Sequence, residues 1–436
     1  MNGLPWTAIF RLGLVQMSLG SIFVLMTSVV NRIIAVELAL PALLTGGLLA
    51  IHYLMQMMRP HFGHGSDTGG RRTPWIIGGM LVLAIGGTLA AAATWLLSIN
   101  TMAGIALAII AFVLIGAGVG AGGTSLLVLI AAKVAPERRA AAACITWVMM
   151  IAGFIVTTVI AGQLLEPFTM QRMFMLVAGI CVGAFLLATL SVGHIERDYP
   201  NAMDAQSRAE DDVPFMQALT AVMRERDTRL FAVFVTISMF AYGAQDLVLE
   251  PFAGAVFGMS VGESTSLSAV HHQGVLVGML AIGALGSRWL SALRHGAVFG
   301  CLASAVCLAG LVASAARAEW WPLQLNILSM GLANGIFAVA AIGSMMNLVN
   351  QGARGRQGVR MGVWGAAQAI AMGAGTIMGT AMVDLTRALS HDLQFAYTTV
   401  FGIQAFLFIV AGLLATRIQT PAPQRESVAS LSVAKS

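Results

Sequence analysis

The stretch Gly63-His64-Gly65-Ser66-Asp67-Thr68-Gly69-Gly70-Arg71-Arg72-Thr73-Pro74-Trp75 stands between two long apolar runs, and its reading decides the fold. Its glycines permit a tight reversal of the chain. Asp67 can pair with Arg71 or Arg72, or sit at a positive helix N-terminus. Taken alone, it is a short basic loop of the kind that fixes which side of a membrane a connection occupies.

The composition around it agrees. Of 436 residues, 58% are hydrophobic and 10% charged, with a mean hydropathy of +0.84, whereas a soluble domain is about 25% charged. The chain reads as an all-α polytopic membrane protein. Its net charge of +5 says less than where the charges fall. Cys144, Cys181, Cys301 and Cys307 lie in apolar runs without metal-site spacing and read as small core residues. No cleavable signal is expected before the first apolar run.

A hydrocarbon core of about 30 Å asks for roughly 20 apolar residues per helix. Charged or Pro/Gly-rich breaks mark a first group of spans at 12–35, 41–58, 74–97, 102–130, 140–165 and 172–193. A second group follows at 230–257, 267–290, 296–316, 320–348, 360–384 and 395–416. With the N-terminus in the cytoplasm, most arginines fall inside, while Arg32, Arg172, Arg317 and Arg387 fall outside. That bias predicts an even number of spans with both termini cytoplasmic.

The expected organisation is a six-helix bundle over 1–193, a linker over 194–228, a second six-helix bundle over 229–417, and a disordered cytoplasmic tail over 418–436. Asp212-Val213-Pro214, with Phe215, Leu219, Val222 and Met223 at helical spacing, allows a short amphipathic surface helix in the linker; a flexible connection is the alternative. Arg11-Leu12 opens the first half and Arg229-Leu230 the second, an offset of 218 that sets Arg32 opposite Glu250.

The Gly63 to Arg72 loop, between the second and third of twelve spans, resembles the signature of the major facilitator superfamily. The resemblance implies two pseudo-symmetric six-helix halves. It also implies a cytoplasmic motif of Gly63, Asp67, Gly70, Arg71 and Arg72, whose aspartate meets the start of the eleventh helix, here preceded by Arg354, Arg356 and Arg360. The equivalent loop of the second half, Gly286 to Arg294, lacks the aspartate.

A narrower resemblance covers nearly the whole chain. Arg11 to Gly20, Asn31-Arg32 through Glu37-Leu38, Arg59 to Asp67, and Leu249-Glu250-Pro251-Phe252 with Gly258 to Gly262 are similar to the PucC/LhaA family of phototrophic bacteria. That family is associated with light-harvesting complex assembly and bacteriochlorophyll handling. The resemblance implies light-harvesting polypeptides, and pigment-synthesis enzymes, as partners in a bacterial intracytoplasmic photosynthetic membrane; nothing in the chain suggests nucleic acid.

Ionisable residues in spans are costly and become functional candidates. Arg32, Glu37, Asp246 and Glu250 fall toward the outer ends of the first and seventh spans, and an Arg32 to Glu250 gate is expected, against the plainer reading of charges in contact with interfacial water. Leu165-Glu166-Pro167-Phe168 repeats the Leu249 tetrapeptide at another outer end, where Glu166 faces water or headgroups and the proline ends or bends its helix. If a chlorin is the cargo, its magnesium takes an axial donor such as neutral histidine. His52, His271 and His272 stand near membrane depth; histidines satisfied by neighbouring helices are the alternative. The 48 glycines, clustered at Gly116 to Gly123 and Gly375 to Gly379, predict close helix approach, and the 26 methionines adaptable packing.

Three functions remain: an assembly factor that binds or delivers bacteriochlorophyll, an alternating-access transporter of an amphipathic solute, and an enzyme or accessory subunit of pigment synthesis. Prenyl transfer to a chlorin uses a magnesium-held diphosphate and calls for clustered aspartates. Asp211-Asp212 is an isolated pair, so a catalytic role is not expected.

Overall fold

The computed structural model describes residues 3–58, 71–199, 224–288, 290–351 and 357–418. Within them, twelve helices account for the architecture. In the first half these are α1 (Trp6–Glu37), α2 (Ala42–Gln56), α3 (Thr73–Leu97), α4 (Thr101–Lys133), α5 (Pro136–Leu164) and α6 (Met170–Val192). The second half holds α7 (Arg226–Gly243, continued as Gln245–Phe257), α8 (Val261–Arg288), α9 (Leu290–Ala315), α10 (Leu323–Gln351), α11 (Gln357–Ser390) and α12 (Leu393–Arg417). Eleven of them are long and apolar enough to cross a membrane, and α2 is shorter, at 15 residues. A short helix, Ile195–Asp198, follows α6.

The halves repeat one another. Equivalent helix starts are separated by between 217 residues, from Thr73 to Leu290, and 223, from Met170 to Leu393. Their irregularities coincide as well. Regular α-helix in α1 gives way to π-helical geometry at Met26, and α7 breaks at Ala244, which is Met26 advanced by 218. An interruption at the same depth in both halves marks where backbone groups are released from the ladder.

Across the centre, α2 packs along α11, α5 along α8, and the π-helical part of α1 against the second segment of α7. Each half keeps its own apolar core, around Leu12, Leu83 and Ile115 in one and Phe252, Phe337 and Phe408 in the other. Pro251 does not end its helix. It lies inside α7, which runs on to Phe257 and stops at Gly258, a left-handed residue with φ of 65°. The linker's proposed amphipathic helix lies outside the described residues.

Candidate functional site

One consequence of Pro251 shapes the seam between α1 and α7. A proline has no N–H, so it cannot bond the carbonyl four residues earlier, that of Leu247. The Asn31 amide, on the other half, donates to that carbonyl at 2.8 Å. Next to it Arg32, 2% exposed, has its guanidinium against Gly254, where an added Cβ would stand 2.7 Å from Cζ. Arg32 Nη2 donates to the Met259 carbonyl at 3.0 Å, and Nη1 meets Glu37 Oε1 at 3.0 Å.

The ion pair of Arg32 is therefore with Glu37 rather than with Glu250. Glu250 is itself buried, at 1% exposure, in the α7 turn preceding Gly254. Both Arg32 and Glu250 are buried within the protein. Asp246 belongs to the same helical segment, Gln245–Phe257.

The three histidines fall into different surroundings. His52 is buried on α2 against Phe23 and Tyr53, and its Nε2 accepts from the Gln56 amide at 3.1 Å. His271 on α8 lies 3.3 Å from Asn334 Nδ2, so its Nε2 also serves as an acceptor. His272 is oriented otherwise. Its Nδ1 is 2.8 Å from the Ser268 carbonyl, which can only accept, so the proton resides on Nδ1 and Nε2 keeps its lone pair. Among the described residues nothing hydrogen-bonds that Nε2. The ring meets Phe154 of α5 edge-on, with centroids 4.9 Å apart, on the seam between the halves.

A buried polar chain surrounds His271 that sequence reasoning missed. Ser304 Oγ donates to Asn334 Oδ1 at 2.8 Å, and Asn334 Nδ2 donates to Gln245 Oε1 at 2.8 Å. Gln245 Nε2 is buried and has no hydrogen-bond partner among the described residues. The signal was faint, because single amides in separate apolar helices show no spacing until the helices are packed. Close packing is supplied by glycine: a Cβ at Gly331 or Gly335 would strike the carbonyls of His271 or Val275 on α8. Gly118 and Gly375 likewise lie against backbone of α3 and α7, which accounts for these members of the glycine clusters as packing positions.

At the opposite end of the bundle, Arg71 is exposed and Arg72 half-buried. Gly63, Asp67 and Gly70, with Arg354 and Arg356, lie outside the described residues, as does any contact between Asp67 and the start of α11. The first amides of α3 are capped by Glu196, which accepts from Arg72 N at 3.0 Å and Thr73 N at 2.8 Å. A carboxylate from the segment after α6 thus anchors the start of α3.

Glu166 and Asp384 were also misjudged or missed. Glu166 accepts from Ser260 Oγ and from Gly262 N, the latter at 3.1 Å, rather than facing only water. Asp384 accepts from Ala42 N at 2.9 Å and Leu43 N at 2.7 Å.

Comparison with known proteins places this geometry. A chain from Rhodobacter capsulatus named bacteriochlorophyll synthase 44.5 kDa chain is 47% identical over 95% of this chain and 96% of its own length. The protein PucC of the same organism is 28% identical over 93% of this chain and 91% of its own. Among solved structures, the nucleoside transporter NupG superposes with a TM-score of 0.68 at 14% identity over 94% of this chain and 98% of its own. A peptide transporter, POT, gives 0.70 at 12% identity over 96% of each. The fold is that of the major facilitator superfamily. A family model described as PUCC protein matches residues 29–422, and the chain belongs to that family.

Proposed function

We propose that the protein is a non-catalytic assembly factor that holds a bacteriochlorophyll-class chlorin at the seam between its halves and hands it to nascent light-harvesting polypeptides. Its site would be the bacterial photosynthetic membrane, with both termini cytoplasmic. The observation that carries this reading is His272. A backbone carbonyl fixes its tautomer, and its Nε2 lone pair is available at the α5–α8 seam. Magnesium in a chlorin takes such a neutral axial nitrogen, and a second partner on the other ring nitrogen is what orients a ligating imidazole. His52 and His271 direct Nε2 to neighbouring amides instead. The pigment-related name of the 47% identical relative supports the choice of cargo.

Transport of an amphipathic solute by alternating access is the second reading, favoured by the inter-half hydrogen bonds gathered at one end of the bundle. A supporting role beside a pigment synthase is a third, suggested by that relative's name. Near-infrared absorption of the protein, purified in mild detergent from a phototrophic host, separates pigment holding from transport. Stoichiometric chlorin that is lost in His272→Leu and kept in His52→Leu is the expected result. Protein free of chlorin would shift the reading to transport, and pigment kept in His272→Leu would move the ligand elsewhere.

A further inference from the structure

Glu166 and Asp384 are related by the repeat. Advancing Glu166 by the offset of 218 reaches Asp384, and advancing Ala42 by the same offset reaches Ser260. The contacts obey the same operation. Glu166, just beyond α5 in the first half, accepts from Ser260 and Gly262 at the start of α8 in the second. Asp384, near the end of α11 in the second half, accepts from Ala42 and Leu43 at the start of α2 in the first.

Each carboxylate meets a need of the opposite half. The first amides of a helix have no intrahelical acceptor and carry the positive end of its dipole. Pro41, the cap residue of α2, makes no side-chain cap bond, so Asp384 supplies from across the seam what the local sequence lacks. At α8, Ser260 and Glu263 form a reciprocal capping box, with Ser260 N donating to Glu263 at 2.9 Å and Glu263 N to Ser260 Oγ at 3.2 Å. The Ser260 hydroxyl proton is then directed to Glu166. A Cβ at Gly46 would strike Thr380, and one at Gly162 would strike Ser266, so a glycine lets the helices close up beside each contact. Asn31 and Arg32 tie the same end of the bundle between them.

We propose that Glu166 and Asp384 are a two-fold related pair of clasps that hold this end of the bundle shut, and that both must release their helix starts before it opens. A carboxylate on backbone N–H groups suits this task, because it can part without rearranging either helix. The device would serve pigment delivery and solute transport alike.

The test uses the full chain in lipid nanodiscs, with native cysteines replaced by alanine. Spin labels at Ile99→Cys and Trp320→Cys, both exposed and at this end of opposite halves, report the distance between halves without touching a clasp. Losing a cap shifts a local equilibrium about fivefold, so Glu166→Ala or Asp384→Ala alone should raise the open-to-closed ratio about fivefold and the pair about twenty-five-fold. If the alanine pair does not fold, Glu166→Gln with Asp384→Asn keeps volume and one acceptor while removing charge, and should shift the ratio in the same direction. An unchanged distance distribution in a folded double variant would overturn the proposal. So would a shift produced by one site with the other silent. Distance, not pigment, is the readout, so this outcome is independent of the cargo.

Discussion

Asn31 and Leu247 are joined at 2.8 Å across the two halves because Pro251 leaves the Leu247 carbonyl without its helical donor. The proline and the asparagine should therefore be energetically coupled. Asn31→Leu removes the tie, at about 1 kcal/mol, the scale of a side-chain hydrogen bond between membrane helices. Pro251→Ala restores an N–H to α7, and should stabilise the Asn31→Leu protein more than the parent. Reversible unfolding in mixed micelles measures both. Two effects that simply add, within about 0.3 kcal/mol, would remove the explanation.

Arg32 and Glu37 are five residues apart and still pair at 3.0 Å. In an α-helix, residues five apart point in quite different directions. The π-helical turn Ile33–Glu37 brings them onto one face. Arg32 is almost wholly buried, so truncating Glu37 should cost about 1.5–3 kcal/mol, the scale of a hydrogen bond to a charged group. In double-mutant cycles, Arg32→Gln with Glu37→Gln should show a larger coupling than Arg32→Gln with Glu250→Gln. The reverse order would restore the gate expected from the repeat.

Asn334 is the hub of the buried chain, accepting from Ser304 and donating to Gln245. Asn334→Ala strands Ser304 and Gln245, removes the donor to His271, and should cost about 1–2 kcal/mol. Asn334→Ala with Ser304→Ala should cost less than the sum of the singles, since one stranded hydroxyl is removed. If the costs are additive, the chain is not a cooperating unit.

Gly331 stands where a Cβ would drive into the His271 carbonyl on α8. Gly331→Ala must push α8 and α10 apart, costing about 1–3 kcal/mol, and should perturb the His271 to Asn334 contact. Gly402, which has open space around it, is the control, and Gly402→Ala should be close to neutral. Similar melting temperatures for the two would show that the α8–α10 contact is loose enough to admit a methyl group.

The twelve helices and the repeat were legible because burial in lipid demands long apolar runs and charge must stay at their ends. Arg32, Glu37 and Glu250 were legible as odd residues in such runs. Their pairing was not, since it depends on a π-helical turn that no residue of Met26 to Glu37 announces. Pro251 was visible, but its consequence was not. Its effect was to free a carbonyl within α7, and only the position of Asn31 on another helix reveals that. Glu166 and Asp384 were hidden for a related reason. A charge near a helix end has a cheap explanation in water, and its true acceptor role requires knowing which helix start lies opposite.

Arginine placement predicts a sidedness, and with it a direction for the clasps. Ile99 and Trp320, 75% and 88% exposed, stand in the connections that the arginine bias puts outside. Met58, 42% exposed, ends the segment leading to the basic loop. With Cys144 replaced by alanine, Ile99→Cys and Trp320→Cys should react with a membrane-impermeant maleimide in intact spheroplasts. Met58→Cys should react only after permeabilisation. The opposite pattern would invert the protein and place Glu166 and Asp384 on the cytoplasmic face. The closed end of the bundle would then face the cytoplasm.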